Sequence, residues 1–219
     1  MFQNRLKVFS GFTLAEVLIT LVIIGVIAAM TIPTLMNKTN NQEYVSKLKK
    51  SYSTFSQVTQ KIIAEEGNPR ADIGGWATSY EKVFDLYKKY LSVAKECKVG
   101  TTCSDKSYLQ FNGNSFKNFS NTRNVLVLSD GTLFSISGSD SPSADCSNSV
   151  AGSTNFCLGM YVDINGEKGP NFVGRDTFAF VLKEDGLFPM GCDTGGSCTK
   201  TSAGWGCACK VIRENAMNY

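Results

Sequence analysis

The chain of 219 residues contains no histidine. That absence excludes Ser-His-Asp and Cys-His nucleophilic machinery and any zinc site with a histidine ligand. Charge of one sign is also scarce: 22 basic residues stand against 19 acidic ones, a net of +3. A dedicated nucleic-acid binder needs a larger basic excess to neutralise phosphates, so none is expected. No Gly-rich phosphate loop with a following Lys-Ser/Thr occurs, and Gly195-Gly196-Ser197 reads as a loop among cysteines. Asp and Glu are scattered, and no catalytic set stands out, so the chain is not expected to be an enzyme. No cysteine precedes Cys97 and no CxxC pair occurs, which disfavours a zinc site made of four thiolates.

What is present is unevenly distributed. All eight cysteines lie between Cys97 and Cys209. An even set of this kind is expected to pair in an oxidising compartment. From Phe12 to Met36, 18 of 25 residues are apolar. The chain therefore has one apolar end and one cysteine-bearing body, and its length fits one or two domains.

Arg5 and Lys7 make residues 1–11 a short basic leader. In the run Phe12–Ile32 only Thr13, Glu16, Thr20 and Thr31 carry polar side chains. As a helix this run spans about 31 Å, close to a bilayer core of about 30 Å. Basic residues ahead of it place the leader in the cytoplasm and the body outside. No A-x-A-like cleavage site with a polar break follows; Ala28-Ala29-Met30 is the nearest candidate and the apolar run continues past it. A plain signal anchor leaves Glu16 unexplained, because a carboxylate within a span costs roughly 2.5–3.5 kcal/mol. A cut between Gly11 and Phe12 would create an α-amino group four residues before Glu16, on the same helix face. An amine from a neighbouring copy would serve as well.

The stretch GFTLAEVLITLVIIGVIAAMTIP, Gly11 to Pro33, resembles the class III signal of type IV pilins and type II secretion pseudopilins. The resemblance implies cleavage after Gly11 by a prepilin peptidase, N-methylation of Phe12 and pairing of Glu16 with an amine during filament assembly. It implies as partners other copies in a homo-polymer or mixed pilin filament, and an inner-membrane assembly platform. The subunit would sit single-pass in the inner membrane, then in the periplasm or at the cell surface as a filament. Pro33 removes a helix hydrogen bond, and is where the resemblance implies the helix loosens in a filament; a simple bend is the plainer reading.

Beyond Asn37, Val45, Leu48, Tyr52, Phe55, Thr59 and Ile62 fall at three- and four-residue steps and predict an amphipathic helix that stops at Gly67-Asn68-Pro69. One helix from Phe12 to Glu66 would be about 80 Å long. Thr78-x-x-Glu81 resembles a capping box ahead of a second helix carrying Val83, Phe84, Tyr87, Tyr90, Leu91 and Ala94. Residues 100–121 read as loop with one short strand. Asp130-Gly131, Asn165-Gly166 and Asp185-Gly186 sit between apolar runs and signal hairpins. Between them, Ser135–Asn155 holds eight serines in 21 residues and reads as an exposed insertion. The expected body is α+β: an antiparallel sheet of about four strands laid on the second half of the long helix. This is also the pilin-like arrangement. The domains are then residues 1–11 (leader), 12–36 (membrane and filament-core half-helix) and 37–219 (extracytoplasmic body).

Proximity suggests Cys97–Cys103 and Cys146–Cys157. For the last four, GWGCACKVIRENAMNY resembles the end of a subgroup of pilin-like proteins in which a late cysteine closes a loop on an earlier one. We expect Cys192–Cys207 and Cys198–Cys209, with Cys207 and Cys209 on one face of a strand; Cys192–Cys198 and Cys192–Cys209 are rival pairings. Asp163-x-Asn165-Gly166-Glu167, with Asp176 later, has some likeness to a calcium loop, and some pseudopilins hold calcium near the sheet. The spacing departs from the EF-hand and Lys168 adds a cation, so a polar turn is the favoured reading and no cofactor is expected. The functional expectation is a structural filament subunit. Rivals are a minor pilin or tip adhesin that binds a surface, DNA or a secreted substrate, and a plain anchored enzyme or receptor domain.

Overall fold

The structure is a computed structural model in which residues 11–117, 119, 123–136 and 142–219 are described. The leader residues Arg5 and Lys7, and part of the serine-rich insertion, lie outside the described residues. The chain divides into two compact units, Met1–Asn40 and Asn41–Tyr219.

Helix α1 runs Leu14–Glu66 and passes through Pro33 without a break. Three of its threonines turn their hydroxyls onto the helix backbone. Thr20, Thr31 and Thr39 donate their hydroxyls to the carbonyls of Val17, Ile27 and Leu35. Within the second unit the stripe read from the sequence is the buried face. Val45, Leu48, Phe55, Thr59 and Ile62 are buried, and Tyr52 stacks on Phe180 at 5.7 Å. Gly67, at φ +85°, closes the helix by donating its N–H to Ile63 O.

Helix α2 is Tyr80–Tyr90. Its cap is Ser79, one residue later than the Thr78 expected, and Ser79 Oγ accepts the Lys82 N–H. The helix also ends earlier than expected. Leu91 is already extended, and Ala94 belongs to strand β1, Val93–Cys97. Where a loop with one short strand is expected over 100–121, the described residues include a small hairpin of β2, Tyr108–Leu109, and β3, Ser115–Phe116. The hairpin of β4, Val125–Leu128, and β5, Leu133–Ile136, turns at Asp130-Gly131. The insertion contains a second small hairpin, β6 (Asn148–Val150) with β7 (Ser153–Phe156). Strands β8 (Leu158–Asp163), β9 (Thr177–Lys183) and β10 (Gly186–Pro189) follow, and then helix α3, Cys207–Glu214.

The main sheet has six strands rather than about four, in the order β1-β4-β5-β8-β9-β10, with every neighbouring pair antiparallel. β1, missed inside the expected helix, and β10, read only as the flank of a turn, supply the two edges. β1 is irregular between Val93 and Lys95, and β10 stops on Pro189. Strands β5 and β8 are buried along their whole length, and β4 and β9 at all but one residue each, because both sheet faces are covered. Leu126, Phe134, Met160, Val162, Phe178 and Phe180 face α1, α2 and α3. On the other face, Val125, Leu133, Tyr161, Ala179 and Val181 lie under Tyr108, Phe116, Phe119, Val173 and Trp205.

Phe134 is the hub of the helix-side core. It is fully buried and lies 4.9 Å from Phe55, 5.4 Å from Tyr87 and 6.3 Å from Phe84, ring centre to ring centre. Phe134→Ala is expected to cost about 3–5 kcal/mol, read from denaturant unfolding. A loss below about 1 kcal/mol would show that this core collapses around the gap.

All eight cysteines are paired. Cys97 joins Cys103, and Cys146 joins Cys157. The C-terminal pairs differ from the preferred expectation and follow the Cys192–Cys209 rival: Cys192 joins Cys209 and Cys198 joins Cys207. The reason is local structure. Cys207 and Cys209 open a helix, so they point about 200° apart around its axis and address two different cysteines. A strand would have aimed both the same way.

Candidate functional site

Leu14–Pro33 is a helical segment of 20 residues with mean hydropathy 2.5, and none of its most apolar window is buried. Leu14, Leu18, Ile19, Leu21, Val22 and Ile24 are all more than half exposed. A soluble monomer does not leave a contiguous apolar surface of this size uncovered. The segment is long enough to span a hydrocarbon core.

At its start stands the one charged side chain of the segment. Thr13 N donates to Glu16 Oε2 at 2.8 Å, and Thr13 Oγ1 donates to the same oxygen at 2.8 Å. Glu16 N in turn donates to Thr13 Oγ1 at 3.2 Å. Thr13 and Glu16 thus form a reciprocal capping box that satisfies two orphan N–H groups of the helix start. The carboxylate also sits at the positive end of the helix dipole. Sequence reasoning placed Glu16 but missed Thr13, although Thr13-x-x-Glu16 has the capping-box spacing that was noticed at Thr78 and Glu81. In the uncut chain the nitrogen of Phe12 is an amide, so it offers Glu16 no cation. Gly11 and Phe12 are both exposed, Phe12 at 90%. Pro33 lies at the far end of the apolar segment, well away from Glu16 along the helix.

The second polar cluster lies in the body. Asn165-Gly166 does not close a two-residue hairpin; it begins a 13-residue connection between Asp163 and Thr177. Two carboxylates, both fully buried, hold this connection. Asp163 Oδ1 accepts the N–H groups of Asn165 and Gly166, each at 3.0 Å, and Oδ2 accepts the Tyr108 hydroxyl at 2.7 Å. Asp176 accepts the N–H groups of Asn171 and Phe172 at 2.7 and 2.8 Å. Asn165 Oδ1, Asn171 Oδ1 and Thr177 Oγ1 are buried without a hydrogen-bond partner. Burial, followed by the charge of Asp176, pushes the Asp163 carboxyl up to about 8, against the pull of its donors. Burial raises Asp176 to about 6. The same burial, with the Asp163 charge beside it, raises the Tyr108 hydroxyl, so that side chain donates throughout. Asp163, Asn165 and Asp176 therefore share one region, and both carboxylates act as anchors for the connecting backbone.

Residues 6–32 match the family model of the prokaryotic N-terminal methylation motif. No curated protein and no solved structure matches the chain. The N-terminus is thus a prepilin signal, the kind carried by type IV pilin and pseudopilin precursors. A signal of this class implies processing by a prepilin peptidase and points to a structural protein. Signal and apolar helix together fit a membrane-anchored precursor.

Proposed function

We propose that the chain is a structural subunit of a type IV pilus or type II secretion pseudopilus. It is cleaved after Gly11, methylated on Phe12 and polymerised through the apolar half of α1. The carrying observation is the uncovered apolar segment Leu14–Pro33 with a single capped carboxylate at its start, directly after the Gly11-Phe12 junction. In the membrane, lipid covers that surface. In the fibre, the same segments of neighbouring copies cover it. Glu16 then meets an amine of Phe12, and the unlike charges remove a cost that lipid cannot. The assembly platform of the inner membrane is the partner that moves the subunit from one setting to the other, and the body is displayed in the periplasm or at the cell surface.

Mass spectrometry of the N-terminal peptide from the native host tests this reading. The expected chain begins at N-methylated Phe12. An intact Met1, or a cut on the body side of the apolar segment, would overturn it.

A further inference from the structure

The carboxylate of Glu16 is occupied before Phe12 has an amine. Both of its donors come from Thr13, and both fall on Oε2. Among the described residues nothing donates to Oε1. The arrangement keeps the glutamate folded back along its own first turn, where the helix start can share its charge. It also leaves one oxygen open to a newcomer.

We propose that Thr13 is the positioning residue for assembly: its hydroxyl and amide hold Glu16 with Oε1 free until the amine of Phe12 is released by cleavage and takes that oxygen. The proposal rests on the filament reading given above. Two properties of threonine make it suitable. Its hydroxyl both donates to Glu16 Oε2 and accepts the Glu16 N–H, closing the box in both directions. It lies one residue from Phe12, so cutting at Gly11 leaves the cap intact and places the new amine beside it. Without the hydroxyl, Glu16 keeps only the Thr13 amide. The side chain then samples other rotamers, and an exposed carboxylate in an apolar segment recruits water or headgroups instead of the incoming amine.

The test compares Thr13→Val, Thr13→Ser and Glu16→Ala in the full chain. Valine keeps the branched shape and removes the hydroxyl, whereas serine keeps the hydroxyl. Three readouts are taken: N-terminal processing by mass spectrometry, sheared surface filaments, and the carboxyl carbon signal of labelled Glu16 by NMR in detergent micelles. Thr13→Val is expected to be cleaved, to shift the Glu16 signal and to give filaments reduced by about tenfold or more, the scale of a lost charge-assisted hydrogen bond. Thr13→Ser is expected to match the parent in all three. Normal assembly by Glu16→Ala sinks the filament reading itself. If Glu16→Ala fails while Thr13→Val assembles normally, the filament reading stands and the Thr13 proposal is wrong. The proposal is also overturned if Thr13→Ser is as defective as Thr13→Val, or if Thr13→Val loses filaments without moving the Glu16 signal. A Thr13→Val chain that stays uncleaved assigns Thr13 to peptidase recognition and overturns it too.

Discussion

Replacing Cys192, Cys198, Cys207 and Cys209 together by alanine is expected to unfold the segment from Cys192 to the C-terminus at ordinary temperature. The chain-entropy relation gives about 3 kcal/mol for the outer loop, 17 residues, and slightly less for the inner one, 9 residues. The loops are nested, so the joint loss is smaller than the sum, at about 4–5 kcal/mol. That is a large part of the roughly 5–15 kcal/mol that holds a domain together. The loss spreads beyond the loops. Helix α3 buries Cys207, Ala208, Cys209 and Val211, and the two crosslinks hold it from opposite sides. Eight residues form too short a helix to persist without tertiary support. Unfolding of single-pair variants separates the contributions, and peptide mapping without reductant identifies the pairs. A Cys192–Cys207 peptide would refute the nested arrangement.

The second large effect is in pH. Asp163 and Asp176 have folded pKa values near 8 and 6, above the ordinary value of about 3.9 for an unfolded chain. Between about pH 4 and pH 8 the folded state therefore binds more protons than the unfolded one, and stability falls as pH rises through that window. The stabilisation is complete at the acid end and is lost on approaching pH 8. The expected loss is a few kcal/mol, read as a falling urea midpoint between pH 5 and pH 8. Carboxylates held low by partners, such as Asp72 beside Arg70 and Asp193 beside Lys183, act with the opposite sign below about pH 4 and do not mask the effect. Asp163→Asn is the informative variant. Its Oδ1 still accepts the Asn165 and Gly166 N–H groups, and its new amide faces the Tyr108 hydroxyl. It is expected to flatten the pH dependence and to exceed the parent in stability at pH 8. A parent midpoint that rises from pH 5 to pH 8 would show that the pair is not held protonated.

The legible parts of this fold were those written in local chemistry. The α1 stripe followed from 3.6-residue periodicity, and the β4–β5 turn from Asp130-Gly131. The signal at Gly11 and Phe12 is a short, dense motif in which every position carries meaning. The parts that misled were decided by distant contacts. Ala94 continues the helical spacing of Tyr87 and Leu91, yet its segment pairs with β4, and α2 ends at Tyr90. Asn165-Gly166 has hairpin chemistry, yet Asp176 gathers the N–H groups of Asn171 and Phe172 and turns the connection into a long anchored loop. Cys207-x-Cys209 fits a strand as well as a helix, and Val211 two residues on continues the strand alternation, so local spacing pointed away from the helix that forms. Thr13 was legible and overlooked, because a threonine at an apolar boundary looks like a filler until its hydroxyl is seen on Glu16.

In the fibre proposed above, subunits would be crowded at concentrations where β-proteins commonly precipitate or convert to amyloid. That route needs a flat strand edge with free N–H and C=O groups in register. Here one edge is kinked beside Lys95, and the other ends on a residue with no N–H to give. Bodies brought side by side therefore meet poor templates for extending the sheet. Lateral cross-β growth is thus disfavoured at both margins of the sheet.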